Sequence, residues 1–282
     1  MHKFLALVKK DWYINKKAVL IPFWIVGGFY LINIIIMLVA YFTGQVDSMF
    51  SFPTNGVTAQ MMSYFANSII VIFPGLLALL FVIICSQNAL NEDKRRKCEL
   101  FHCSQPVSIW QRTGSKYTVG IFSNLVVFII ISILNFLVLN VILLFLDGFS
   151  ISAAIQGLIQ AQIVYIKSAI VIGSIGFFVS SIFEQSAFFK FIAILIAVNI
   201  IIVVLNTIYG WRIPSPLKYV KTLIENTPKL PENQSLLDVD FAEVIKQNWA
   251  RVLFNVKTIW QLVVSGVLFM AGTYIYGRKE IK

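Results

Sequence analysis

The chain has 282 residues, 58% of them hydrophobic and only 13% charged, with a formal net charge of +10. An ordinary soluble domain carries about 25% charged residues, so the composition excludes that class and fits a multi-span membrane protein. The positive charge collects at the ends of apolar runs instead of spreading over one face, a distribution that fixes membrane orientation and argues against nucleic-acid binding.

Residues 3–17 (KFLALVKKDWYINKK) come first. At 100° per residue, Lys3, Lys9, Lys10, Lys16 and Lys17 fall on one side and Phe4, Leu5, Leu7, Val8, Trp12 and Ile14 on the other, with Asp11 the one misfit. A helix with one basic and one aromatic-aliphatic face is expected to lie in the membrane interface. The apolar run that follows is longer than the core of a signal peptide and lacks a small-residue cleavage site, so no cleavable signal is expected.

Six apolar runs have the roughly 20 residues needed to cross a bilayer: 18–42, 67–89, 117–146, 153–180, 188–209 and 258–276. The third and fourth exceed the hydrocarbon thickness, so they should tilt, kink or extend into water. Pro22 would fall in the first turn of span one, where a missing N–H costs little, whereas Pro74 lies inside span two and should kink it. Basic residues set the orientation. Five lysines precede span one, six Lys or Arg lie in the 91–117 connector, and Arg278, Lys279 and Lys282 end the chain, whereas 43–66 and 147–152 have none. Both termini are therefore expected in the cytoplasm. The three cysteines, Cys85, Cys98 and Cys103, fall at that same side, where thiols stay reduced, and have no metal-ligand spacing.

The outer connector 210–257 is too long for a turn. Ser215-Pro216 reads as a helix start for 216–226, ended by Thr227-Pro228. From 241 to 256 the apolar residues Phe241, Val244, Ile245, Trp249, Val252, Leu253 and Val256 recur at helical spacing, which predicts an amphipathic helix on the outer surface leading into span six.

None of the six runs contains Asp, Glu or His. Intramembrane hydrolases and proton-coupled carriers need such groups near the lipid boundary, so the chain is expected to be no enzyme and to have no cofactor of its own. Thr113-Gly114-Ser115-Lys116 lacks the order of a phosphate-binding loop; if ATP drives the protein, another polypeptide hydrolyses it. One ionisable residue is intramembrane, Lys167. With Gln156, Gln160, Ser174 and Ser181 it shares a stripe about 60° wide. Two readings stay open: a substrate path that meets an anionic or polar group, or packing, with the lysine bonded to carbonyls of a neighbouring span. For Asn199 and Asn206 on span five, packing is the expectation.

The connector 91–117 reads NEDKRRKCELFHCSQPVSIWQRTGSKY. A purely topological loop needs neither Leu100-Phe101 nor a Ser104-Gln105-Pro106 helix start before Val107, Ile109 and Trp110; the pattern predicts two short amphipathic helices that present a surface to a partner. A basic cluster, Glu99, an apolar pair, then Ser104, Pro106, Val107 and Ser108, then Gly114 and Lys116, resembles the cytoplasmic connector of ABC type-2 transport permeases. Lys97-Cys98 stands where that motif often has Gly-Thr, and Ser115 separates Gly114 from Lys116. The resemblance implies an all-α polytopic membrane protein forming a single permease domain, 1–282: an interfacial N-terminal helix, six transmembrane helices, cytoplasmic termini and a long outer loop before the last span. It implies a bacterial inner-membrane location and a separate ABC ATP-binding subunit that binds ATP and Mg. A second copy of this chain or a related permease completes the path, with lipid around it. Docking to the ATPase would fall to Glu92, Asp93, Arg96, Glu99, Leu100, Phe101, Ser104 and Pro106, and Gln156, Gln160, Lys167 and Ser174 would be candidates for the path. The alternative is a non-transporting assembly or sensor subunit that docks and regulates an ATPase.

Overall fold

The computed structural model describes residues 2–43, 59–91, 107–144, 149–184, 186–224, 241–253 and 255–280. Among these the regular elements are all helices: α1 (His2–Phe42), α2 (Ala59–Ile70), α3 (Ile72–Asn88), α4 (Ile109–Leu143), α5 (Ile151–Ile182), α6 (Ala187–Tyr209), α7 (Pro216–Ile224), α8 (Phe241–Leu253) and α9 (Val256–Glu280). Six stretches are long and apolar enough to cross a membrane, the second being α2 with α3 and the last running from α8 into α9.

Segment 3–17 is not a separate interfacial element. It forms the first turns of a 41-residue α1, about 60 Å long at 1.5 Å per residue, twice the hydrocarbon thickness of about 30 Å. The reason is a partner along the whole length. Leu7, Asp11, Val19 and Val26 are buried at helical spacing, and they face α4 from the Phe4–Gly114 contact through Asp11–Ser115 to Tyr30–Asn135. Contacts in that order make the two helices parallel. Pro22 consequently sits in the interior of a helix, so the Ala18 carbonyl has no N–H to accept from at that point.

Pro74 acts as its chemistry predicts, one turn earlier than its own position. It cannot bond the Ile70 carbonyl, and its ring crowds that group; the helix stops at Ile70, turns through Val71 and restarts at Ile72. One further boundary differs from expectation. Residues 109–117 form the start of α4, so the second of the two short connector helices is continuous with span three. The helix over 241–253 is amphipathic, as its spacing predicts, and lays one face along α5. Its Asn248 and Val252 are buried, and it runs down α5 from the Gln160–Ile245 bond to the Lys167–Val252 bond.

Helix α5 is the hub. In its most apolar window 61% of residues are buried, against none for α6, so α5 forms the interior of the bundle and α6 lies on its outside. Small residues permit this. A Cβ placed on Gly157 would lie 3.1 Å from the Tyr64 carbonyl carbon, and one on Gly173 would meet Ile121; glycines allow α2 and α4 to approach this closely. Ser150 caps the helix by accepting from Ala153 N–H. At its other end, Tyr117, Phe177 and Phe269 join α4, α5 and α9 with ring centroids 4.8–5.5 Å apart.

Helix α6 is held to the chain after it. Gly210 ends it at φ 67°, a left-handed conformation that glycine adopts without strain. The backbone then folds back: Asn206 exchanges two hydrogen bonds with Ile213, at 2.9 and 3.0 Å, and Ser215 bonds Asn199. Both asparagines therefore hold the fold-back that follows α6.

Candidate functional site

The connector between spans two and three stands on two feet, Ala89–Asn91 and Val107–Lys116. Of the residues expected to dock a partner, Glu92, Asp93, Arg96, Glu99, Leu100, Phe101, Ser104 and Pro106 lie outside the described residues. The feet themselves are well defined. Lys116, 8% exposed, donates from Nζ to the Ala89 carbonyl at 2.9 Å and ties one foot to the other. Asn91 donates from Nδ2 to the Ser180 and Phe183 carbonyls at 3.0 and 2.9 Å. The Ser180 carbonyl is one of the last four of α5, which have no acceptor duty within the helix, so a side chain from the connector closes that helix end. Thr113 meets Thr273 of α9 at 3.2 Å. Ser115 donates from Oγ to Asp11 Oδ2 of α1 at 2.5 Å.

Asp11 is thus explained. The residue that broke the amphipathic pattern is buried and faces α4, with its neighbour Lys10 at 3.7 Å. A cavity of about 10 Å³ lies beside it, lined by Asn15, Cys85, Ala89, Lys116 and Gly120 as well, room for about one water. Lys279 of α9 donates to the Ile182 carbonyl at 2.8 Å. Both ends of the chain therefore gather at the same end of the bundle as the connector feet.

The polar stripe of α5 is only partly brought together. Gln160 accepts from the Tyr64 hydroxyl at 2.5 Å and donates to the Ile245 carbonyl at 3.4 Å. Asn248 donates to the same Tyr64 oxygen at 3.3 Å. One helical stretch deeper, Lys167 is 7% exposed and donates from Nζ to the Val252 carbonyl at 2.5 Å and to Thr258 Oγ1 at 3.2 Å. Val252 belongs to the last turn of α8, where carbonyls are unpaired and the helix dipole is negative. A cation there satisfies both the hydrogen-bonding and the electrostatic demand of the α8–α9 break. Ser174 and Ser181 do not join this seam. Ser174 bonds Tyr117 and the Ile170 carbonyl, Ser181 bonds the Phe178 carbonyl, and among the described residues Gln156 bonds Ser152 on its own helix, at 3.4 Å.

No family model, curated protein or solved structure matches this chain. Its residues therefore take roles from geometry alone. Among the described residues no group of three His, Cys, Asp or Glu side chains converges to hold a metal ion. The described geometry instead offers a hydrogen-bonded platform under the connector and a packed polar seam that runs from the middle of α5 towards the opposite end. That end also contains an asparagine pair, Asn67 and Asn140, which exchange hydrogen bonds at 2.9 and 3.2 Å while buried. Reading the sequence missed Asp11, Asn91, Thr113 and Tyr64 as anchors. Their signal was weak but present: each is a polar residue on an otherwise apolar helix face, or at the margin of one, which predicts a partner without naming it.

Proposed function

We propose that this chain is the membrane-spanning permease subunit of a bacterial ABC transporter, an exporter driven by ATP hydrolysis on a separate subunit that binds the nucleotide and Mg. One observation supports the reading above the others. The two connector feet are bonded to each other and, between them, to α1, α5 and α9 through Asp11, the Ser180 and Phe183 carbonyls, and Thr273. A push on residues 92–106 would therefore not stay in spans two and three. It would displace α5, the hub of the bundle, and the helix pair α1–α4 as one body. Alternating between two packings of the opposite end is then a population shift biased by nucleotide on the partner. Basic residues before span one and in the connector put both termini in the cytoplasm, and a second copy of this chain or a related permease would complete the path.

In this mechanism Leu100 and Phe101 are the apolar anchors on the ATPase, with Glu92, Asp93, Arg96, Glu99, Ser104 and Pro106 as polar and turn-forming contacts. Phe101→Asp is expected to abolish co-purification of the ATPase while the spans stay folded; unchanged co-purification overturns the assignment.

A second reading is favoured by the polar stripe of α5. Gln160, Lys167 and Ser174 all bond within the protein, which suits a subunit that docks and regulates an ATPase without carrying substrate. Substrate efflux that depends on this stripe, for instance on Lys167, favours transport; stripe variants that alter ATPase regulation without any efflux defect favour the sensor.

A further inference from the structure

We propose that the basic stretch of α1 holds the phosphate of an anionic membrane phospholipid. This inference needs the helix to span the membrane but not the chain to belong to a transporter. Because α1 runs unbroken from His2 to Phe42, the lysines of 3–17 continue the line of the span. Lys16 and Lys17 are exposed. One turn further, Leu20 is 41% and Ile21 42% exposed, and Trp24 follows at 80%. Residues four apart share a helix face, so Lys16 stands under Leu20 and Lys17 under Ile21. Exposed apolar side chains on a spanning helix meet acyl chains. Ammonium groups about 6 Å beyond the first of them, at 1.5 Å per residue, stand at the level of lipid phosphates.

At that level the surface has an open depression of about 560 Å³ lined by Lys10, Tyr13, Ile14, Lys16 and Lys17. Its wall supplies ammonium donors and the Tyr13 ring, over which Lys16 Nζ sits at 5.4 Å. Tyrosine is a side chain of the membrane–water boundary, apolar in its ring and polar at its tip. The only acid in residues 1–43 is Asp11, and it is buried towards Ser115, so along this helix the charge of Lys16 and Lys17 has no carboxylate facing it. A phosphodiester without its own cation complements that wall. A zwitterionic lipid brings a choline that opposes it.

The test is native mass spectrometry of the full chain in mild detergent, titrated with phosphatidylglycerol and, separately, phosphatidylcholine. Each lysine near an anionic lipid surface contributes about a fivefold preference. Lys16→Gln/Lys17→Gln should therefore lose at least about fivefold in phosphatidylglycerol affinity, with phosphatidylcholine unchanged and Lys16→Arg/Lys17→Arg retaining the preference. Lys218→Gln/Lys246→Gln removes the same charge from exposed positions elsewhere and should change affinity less than about twofold. The proposal fails if wild type shows no preference, if both glutamine pairs lose equally, or if inorganic phosphate displaces the lipid, which would make the depression a soluble-anion site. Lys10 is left in place in every variant so that Asp11 keeps its neighbour.

Discussion

Replacing Gly157 by alanine should destabilise the bundle more than any other single methyl addition on α5 that leaves polarity unchanged. The new Cβ would lie 3.1 Å from the Tyr64 carbonyl carbon and 3.0 Å from Ser68 Oγ, and closer still to the Tyr64 carbonyl oxygen. Carbon contacts are optimal at about 3.5–4.0 Å, and the obstacle is the backbone of α2, not a side-chain end that can swing away. Overpacking of this kind costs about 1–3 kcal/mol, and a backbone obstacle belongs at the upper end. Moving α2 away from α5 also stretches the Tyr64–Gln160 hydrogen bond, and interhelical bonds in membranes average about 0.6 kcal/mol. The sum is about 3 kcal/mol, roughly a hundredfold in the folding equilibrium. Gly266→Ala is the control, because a Cβ there has nothing within 4 Å; removing a glycine from an open helical position is worth up to about 1 kcal/mol in the opposite direction. Reversible unfolding in mixed micelles measures both. If Gly157→Ala is neutral, or gains stability as Gly266→Ala does, the close α2–α5 approach is wrong, and the position of Gln160 with it.

Two other substitutions test the seam by the same unfolding assay. Lys167→Met should cost only about 1 kcal/mol, because the lost bond to Val252 is offset by relief of a buried charge and Thr258 can still donate to that carbonyl, from its present 3.4 Å. Lys167→Glu should cost more than about 3 kcal/mol, since it sets a carboxylate against the end of α8. For the asparagine pair, Asn67→Leu alone takes the donor from Asn140 Oδ1, while its Nδ2 keeps the Phe136 carbonyl, and should destabilise by about 1–3 kcal/mol, whereas adding Asn140→Leu should recover much of that loss. A double variant no more stable than either single would contradict the reciprocal bonding.

The spans were legible because a run of about 20 apolar residues declares itself without knowledge of its neighbours. Their extents were less so. Helix α1 reaches back to His2 because α4 is there to pack against, and nothing in residues 3–17 announces a partner more than 100 positions away. Asp11 shows the limit plainly: the helical wheel marked it as misplaced, yet its correctness depends on Ser115. The segment 241–253 shows another. An amphipathic face turned to interfacial water and one turned to a buried polar seam have the same periodicity, so the wheel could not distinguish the outer surface from the groove along α5. For Lys167 the residue type raised two readings, and the position of the α8 carbonyls, which only folding reveals, favours the packing role. The hub role of α5 did have a sequence signature in its glycines, alanines and serines, since a helix facing lipid has no need of them.

The central claim, that an ATPase drives this chain through its connector, is tested most directly by isolating it from native membranes in mild detergent and identifying what accompanies it by mass spectrometry. The account predicts a soluble protein carrying a phosphate-binding Gly-Lys-Ser/Thr loop, in about equal amount to this chain. Recovery of the chain alone, or with other membrane proteins and no ATPase, would contradict it.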